Sequence, residues 1–240
     1  MTPAIYALLV ASTLCELAPV AAALRWRPLR VLPAPRRLVV LCFLLMFLED
    51  ALLWWTARHQ GNNLWLGYLA APVQTTLLLF ALAWWQTGAV ERRAVRLAAV
   101  GFVGLWILLV LGLEDTGTFS RFAAPLRALL VVAVAAWTLV RRSTRTLESP
   151  TEEAWFWVAT GLLLYFGTGV VLDPVSRLLL RTAPHLVLAA HVAKAGINIV
   201  TYFLVARGML CRLPSGSSGG SSWPPASSPS SSAPPSWSRS

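Results

Sequence analysis

The chain contains a single lysine, Lys194, midway along an apolar stretch that runs from His185 to Arg207. His191, Lys194, Asn198 and Thr201 or Tyr202 recur there at three- and four-residue spacing, which on a helix places them all on one face. An ionisable group in the middle of a bilayer is costly, so such residues face the bundle interior, find partners and mark ligand, ion or proton pathways. The acids embedded in other apolar stretches are Glu16, Glu49 and Asp50. Glu49 lies about eight residues below the end of its stretch and Lys194 about nine below the start of its own, so at 1.5 Å per residue their depths are similar. If the second and seventh helices are neighbours, Glu49 or Asp50 neutralises Lys194.

A second, weaker polar stripe comprises Tyr68, Pro72 and Thr75 or Thr76, with Gln74 beside it. Proline within a helix frees a backbone carbonyl that a cavity can use. Together the two stripes are expected to line a small polar pocket in the outer half of the membrane. The same residues admit three roles: a structural ion pair with Asn198 as interhelical glue, a ligand, ion or proton site, or a covalent function for Lys194. Glu16 reads as a packing or hydration feature of the inner half, and Arg127 as a side chain that snorkels outward. His191 alone makes no metal site. Cys15, Cys42 and Cys211 form no CxxC pair, so neither a disulfide nor a metal framework follows.

These residues are positioned by membrane helices. A chain 57% hydrophobic and only 12% charged, with mean hydropathy +0.64, is far from the soluble range, where about a quarter of residues are charged. Seven apolar runs approach the roughly 20 residues that a spanning helix needs: 4–24, 38–56, 64–85, 97–113, 122–140, 154–172 and 186–206. The expected architecture is an all-α polytopic bundle over residues 1–212, and the first run should stay as a helix, since it lacks the positive n-region of a signal peptide. Arginines gather in the first, third and fifth connections (Arg25, Arg27, Arg30, Arg36 and Arg37; Arg92, Arg93 and Arg96; Arg141, Arg142 and Arg145). By the positive-inside rule those face the cytoplasm, with the N-terminus outside and the C-terminus inside. Trp54, Trp55 and Trp65 are expected at the outer interface, and Trp26, Trp84, Trp85, Trp155 and Trp157 at the inner one. Ser149-Pro150-Thr151-Glu152 suggests a capping box for the sixth helix, Asp173-Pro174 its end, and Val175–His185 an outer loop or short interfacial helix. Residues 213–240, rich in Ser, Pro and Gly, are expected to be disordered.

The net charge of +10 does not indicate nucleic acid, because the arginines alternate with apolar spans and form no continuous basic surface. The partners expected are the lipid bilayer, a small ligand, and a cytoplasmic signalling protein at the Arg-rich loops. The leading reading is a small-ligand sensor or receptor; the alternatives are a proton-coupled carrier and a chromoprotein. An enzyme is not expected, since no HExxH or GxSxG occurs and only His191 among the histidines is embedded.

Two resemblances add expectations. A lone lysine halfway down the seventh helix resembles the retinal-binding lysine of microbial rhodopsins, which implies retinal on Lys194. Ala190 and His191 stand where that family has an aspartate, and helix three lacks a carboxylate counterion, so Glu49 or Asp50 would have to substitute. Gly61-Asn62-Asn63-Leu64-Trp65 followed by Tyr68, with Asn198-Ile199, resembles an uncharacterised group of bacterial seven-helix membrane proteins that usually carry a glutamate near the Gln74 position. That resemblance implies the bacterial cytoplasmic membrane, which the preference for arginine over lysine also suits.

Overall fold

In lipid a backbone must satisfy its own hydrogen bonds, and each long apolar run of this chain does so as a helix. The computed structural model describes residues 3–25, 28–59, 63–114, 117, 120–144 and 149–211. The elements are α1 (Pro3–Cys15), α2 (Ala18–Leu24), α3 (Ala34–Arg58), α4 (Leu64–Trp84), α5 (Ala89–Gly112), α6 (Ala123–Ser143), α7 (Ala154–Thr182) and α8 (Pro184–Leu210), with short 3-10 turns at Leu29–Val31 and Pro150–Glu152. Counting α1 and α2 as one segment, seven helices among the described residues are long and apolar enough to cross a membrane, so the protein is a seven-helix multi-pass membrane protein. The tail from residue 213, Trp26, and Gly61-Asn62 of the motif before α4 lie outside the described residues.

The first span is broken. Glu16 and Leu17 bond back three residues, to the carbonyls of Thr13 and Leu14, instead of four. Pro19, just inside α2, has no N–H to return to Cys15, so the α-ladder stops there and restarts. Two expectations about the sixth span fail. Ser149 bonds the Thr151 hydroxyl at 2.8 Å and caps nothing; the chain makes one 3-10 turn, and α7 begins only after extended Glu153. At the far end the helix runs through Pro174 to Thr182, so most of the segment read as an outer loop or short interfacial helix continues α7 without a break. A membrane helix tolerates such a proline where neighbouring groups satisfy the freed carbonyl.

The helices pack α3 on α4, α4 on α5 and α6, α6 on α7, and α7 on α8, the most extensive contact. The first span closes the ring, α1 and α2 both packing on α8. Because lipid supplies little hydrophobic drive between helices, close fit carries the association. Gly161 and Gly208 give that fit on α7 and α8: a methyl at Gly161 would stand 2.6 Å from Val205 Cγ2, and one at Gly208 2.9 Å from the Ala154 carbonyl oxygen.

The largest core, including Val39, Phe43, Leu82, Trp155, Leu162 and Val205, occupies the half nearer the Arg-rich connections. Trp155, expected in an interfacial belt, is fully buried, with the Arg142 guanidinium 5.2 Å from its ring centroid; Trp85 is buried too. Trp55, Trp65 and Trp84 are exposed on the surface, as a belt requires. Arg36 is buried and donates to the Met209 and Cys211 carbonyls, closing the C-terminus of α8.

Candidate ligand-binding cavity

The opposite half is less tightly filled. A cavity of about 360 Å³ opens near the start of α4, the start of α6 and the α7–α8 turn, lined by Glu49, Tyr68, Trp106, Arg127, Asp173, His191 and Lys194 among others. That volume falls in the range of small-molecule sites, roughly 300–1,000 Å³. Four elements, α3, α6, α7 and α8, contribute its charges, and apolar Leu64, Ala71, Trp106, Ala124 and Leu180 complete the wall.

Lys194 pairs with neither Glu49 nor Asp50. Its Nζ donates to Asp173 Oδ1 at 2.5 Å, joining α8 to α7. The reason is the hairpin: Asp173 lies ten residues before Ala183 at the turn and Lys194 eleven after it, so two antiparallel helices bring them level.

Glu49 is held instead by Gln74, whose amide nitrogen donates to its Oε2. The Gln74 amide oxygen accepts from Arg127 Nη2 at 2.7 Å. Arg127 therefore turns inward, its guanidinium 5.3 Å from the Phe166 ring, rather than snorkelling outward. A buried amide with both ends satisfied explains why a polar residue is tolerated in the middle of α4.

Pro72 does free a carbonyl, that of Tyr68, but a side chain takes it: the Trp106 indole N–H donates to the Tyr68 oxygen at 3.1 Å. This fixes an aromatic wall, the two ring centroids 6.3 Å apart. Thr75 and Thr76 donate back to the carbonyls four residues earlier on α4. Beyond the rim, Glu114 Oε1 accepts from the backbone N–H groups of Phe122 and Ala123 and the Ser120 hydroxyl, at 2.6–2.9 Å. Partial burial pushes the Glu114 carboxyl up, but these hydrogen bonds and one from Tyr68 outweigh it and hold it below the usual glutamate value.

The polar stripe of α8 divides between two environments. His191, exposed and bonded to the Val187 carbonyl at 2.8 Å, lines the cavity with Lys194. Thr201 and Tyr202 are buried deeper, and the Tyr202 hydroxyl donates to Glu16 Oε1 at 3.0 Å. Asn198 Oδ1 is buried without a hydrogen-bond partner. Glu16, 4% exposed at the helix break, lies within hydrogen-bonding reach of Asp50, as does Thr13.

Five of the eight residues singled out from sequence, Glu49, Tyr68, Gln74, His191 and Lys194, line or brace the cavity; Asp50 and Tyr202 belong to the deeper Glu16 cluster. Arg127 and Asp173 are the charged cavity residues that sequence reasoning did not assign to it. No family model, curated protein or solved structure matches the chain, so the cavity is interpreted from its own geometry.

Proposed function

We propose that this multi-pass membrane protein is a small-ligand sensor whose binding site is the charged cavity, with the N-terminus outside, the C-terminus cytoplasmic and the cavity facing outward. One observation carries the reading: charged side chains from four helices converge on a single space with an aromatic wall, where apolar packing would be less costly. At the other end arginines lie over exposed tryptophans, Arg92 and Arg96 over Trp84 and Arg141 over Trp137, a surface suited to a cytoplasmic partner. A bacterial cytoplasmic membrane fits the arginine-dominated basic content. Lys194 is paired with Asp173, and we read it as bracing the cavity edge.

The test is a melting screen of the detergent-solubilised protein against small metabolites, beside an Ala124→Trp variant whose cavity is filled. A bound ligand stabilises the native state by mass action. The reading expects compounds that raise the melting temperature of the native protein and leave Ala124→Trp unchanged; it fails if none does, or if both proteins respond alike.

A proton-coupled carrier is the second reading, favoured by the break at Glu16–Leu17, which sets the buried Glu16 carboxyl inside the span. Discontinuous helices at coupling sites are a carrier feature. Substrate uptake into proteoliposomes that depends on a pH gradient and is lost in Glu16→Gln separates it from a sensor, which binds without flux.

A further inference from the structure

Glu49 and Arg127 are brought to the cavity by α3 and α6, which flank α4, yet they do not pair with each other. Gln74 stands between them, 1% exposed, its nitrogen toward the carboxylate and its oxygen toward the guanidinium. Among the described residues these are the only hydrogen bonds that either charged group makes. A carboxylate accepts about four hydrogen bonds and a guanidinium offers five N–H groups, so both have capacity left. Arg127 Nε is buried without a partner. A neutral amide thus holds apart two opposite charges that could otherwise cancel.

The cavity's charge balance narrows what can enter. Asp173 and Lys194 neutralise each other, leaving Glu49 and Arg127 as the unmatched pair. A ligand with one charge would satisfy one of these and leave a net charge inside an apolar bundle, which is costly. A ligand with both charges matches both and adds none. The separation is short: one amide group and two hydrogen bonds bridge it, and the ammonium and carboxylate of an α-amino acid are likewise set one carbon apart.

We infer that the cavity's ligand is a zwitterion of the α-amino-acid class, its ammonium on Glu49, its carboxylate taken by Arg127 and its side chain against Tyr68 and Trp106. This rests on the cavity being a ligand site, and the experiment separates the two ideas. Melting shifts of the full-length detergent-solubilised chain are measured with each common L-amino acid. The strongest binder is then compared with its decarboxylated amine, its deaminated acid and its N-acetyl amide, and a set of unrelated organic cations, anions and neutral compounds is run alongside.

The inference expects at least one amino acid to stabilise the protein and all three analogues to bind at least about tenfold more weakly. Arg127→Gln and Glu49→Gln should each lose the amino-acid response. Gly67→Ala, which keeps every charge but adds a methyl 3.4 Å from Glu49 Oε1 at the cavity wall, should weaken it without unfolding the protein. An analogue that binds as well as the amino acid overturns the zwitterion. So does a shift confined to unrelated compounds, although the cavity would then remain a ligand site. No shift with any compound overturns both ideas.

Discussion

The Asp173–Lys194 bridge sets the geometry of the α7–α8 hairpin at the cavity edge, and a double-mutant cycle measures it. The perturbations are Lys194→Met, Asp173→Asn and the pair together. At 2.5 Å the bare attraction would be several kcal/mol at an effective dielectric near 20. The side chains are 33% and 42% exposed, however, so screening removes most of that, as it does for other accessible pairs. We expect a coupling energy of about 1 kcal/mol. The control cycle, Lys194→Met with Glu49→Gln, should be additive within about 0.5 kcal/mol, because Glu49 is held by Gln74. Melting in detergent, with chemical denaturation to convert shifts to free energy, reads both cycles. A coupling larger for Lys194 with Glu49 than with Asp173 would refute the hairpin argument.

Three further outcomes follow from particular contacts. Gln74→Leu removes two charge-assisted hydrogen bonds at a buried site and should cost about 2–3 kcal/mol, less than their sum because Glu49 and Arg127 can then close on each other; a change below about 0.5 kcal/mol would mean the amide is not what separates them. Gly208→Ala, facing a backbone oxygen at 2.9 Å, should destabilise by about 1–3 kcal/mol, and Gly161→Ala should be relieved by Val205→Ala, whereas Gly101→Ala and Gly104→Ala, with open space around them, should be neutral or stabilising in the same melts. Glu114 has a lowered pKa, so its contribution is present above the ordinary glutamate value of about 4.3 and lost as pH falls below it. Glu114→Gln should therefore lower stability near neutral pH and flatten the acid side of a stability–pH curve; an unchanged acid limb would contradict the role given to its hydrogen bonds.

The spans were legible because length and apolarity alone satisfy the bilayer's demands, and α4 and α8 were recognisable by their polar stripes. What was not legible depended on tertiary placement. Asp173 reads as a helix end because proline follows it, yet its distance from Ala183 mirrors that of Lys194, a signal visible once the two spans are treated as a hairpin. The proline rule correctly located a freed carbonyl at Tyr68, but no local rule identifies Trp106, some 38 residues away, as its partner. Arg127 looked like a snorkelling residue until α4 offered it an amide oxygen. Glu16 met the Tyr202 hydroxyl only through the packing of the first span on α8, and Trp155 lost its interfacial role because it packs into the largest core.

The central claim is that the charged residues surround a cavity reached by water from the end away from the Arg-rich connections, and not a sealed ion pair. Ser176 lines that cavity, and a cysteine there changes little volume. With Cys15, Cys42 and Cys211 replaced by alanine, Ser176→Cys is exposed to a membrane-impermeant charged maleimide in intact cells. The account predicts labelling of the folded protein from outside. Labelling only after the membrane is permeabilised, or only after the protein is unfolded, would contradict it.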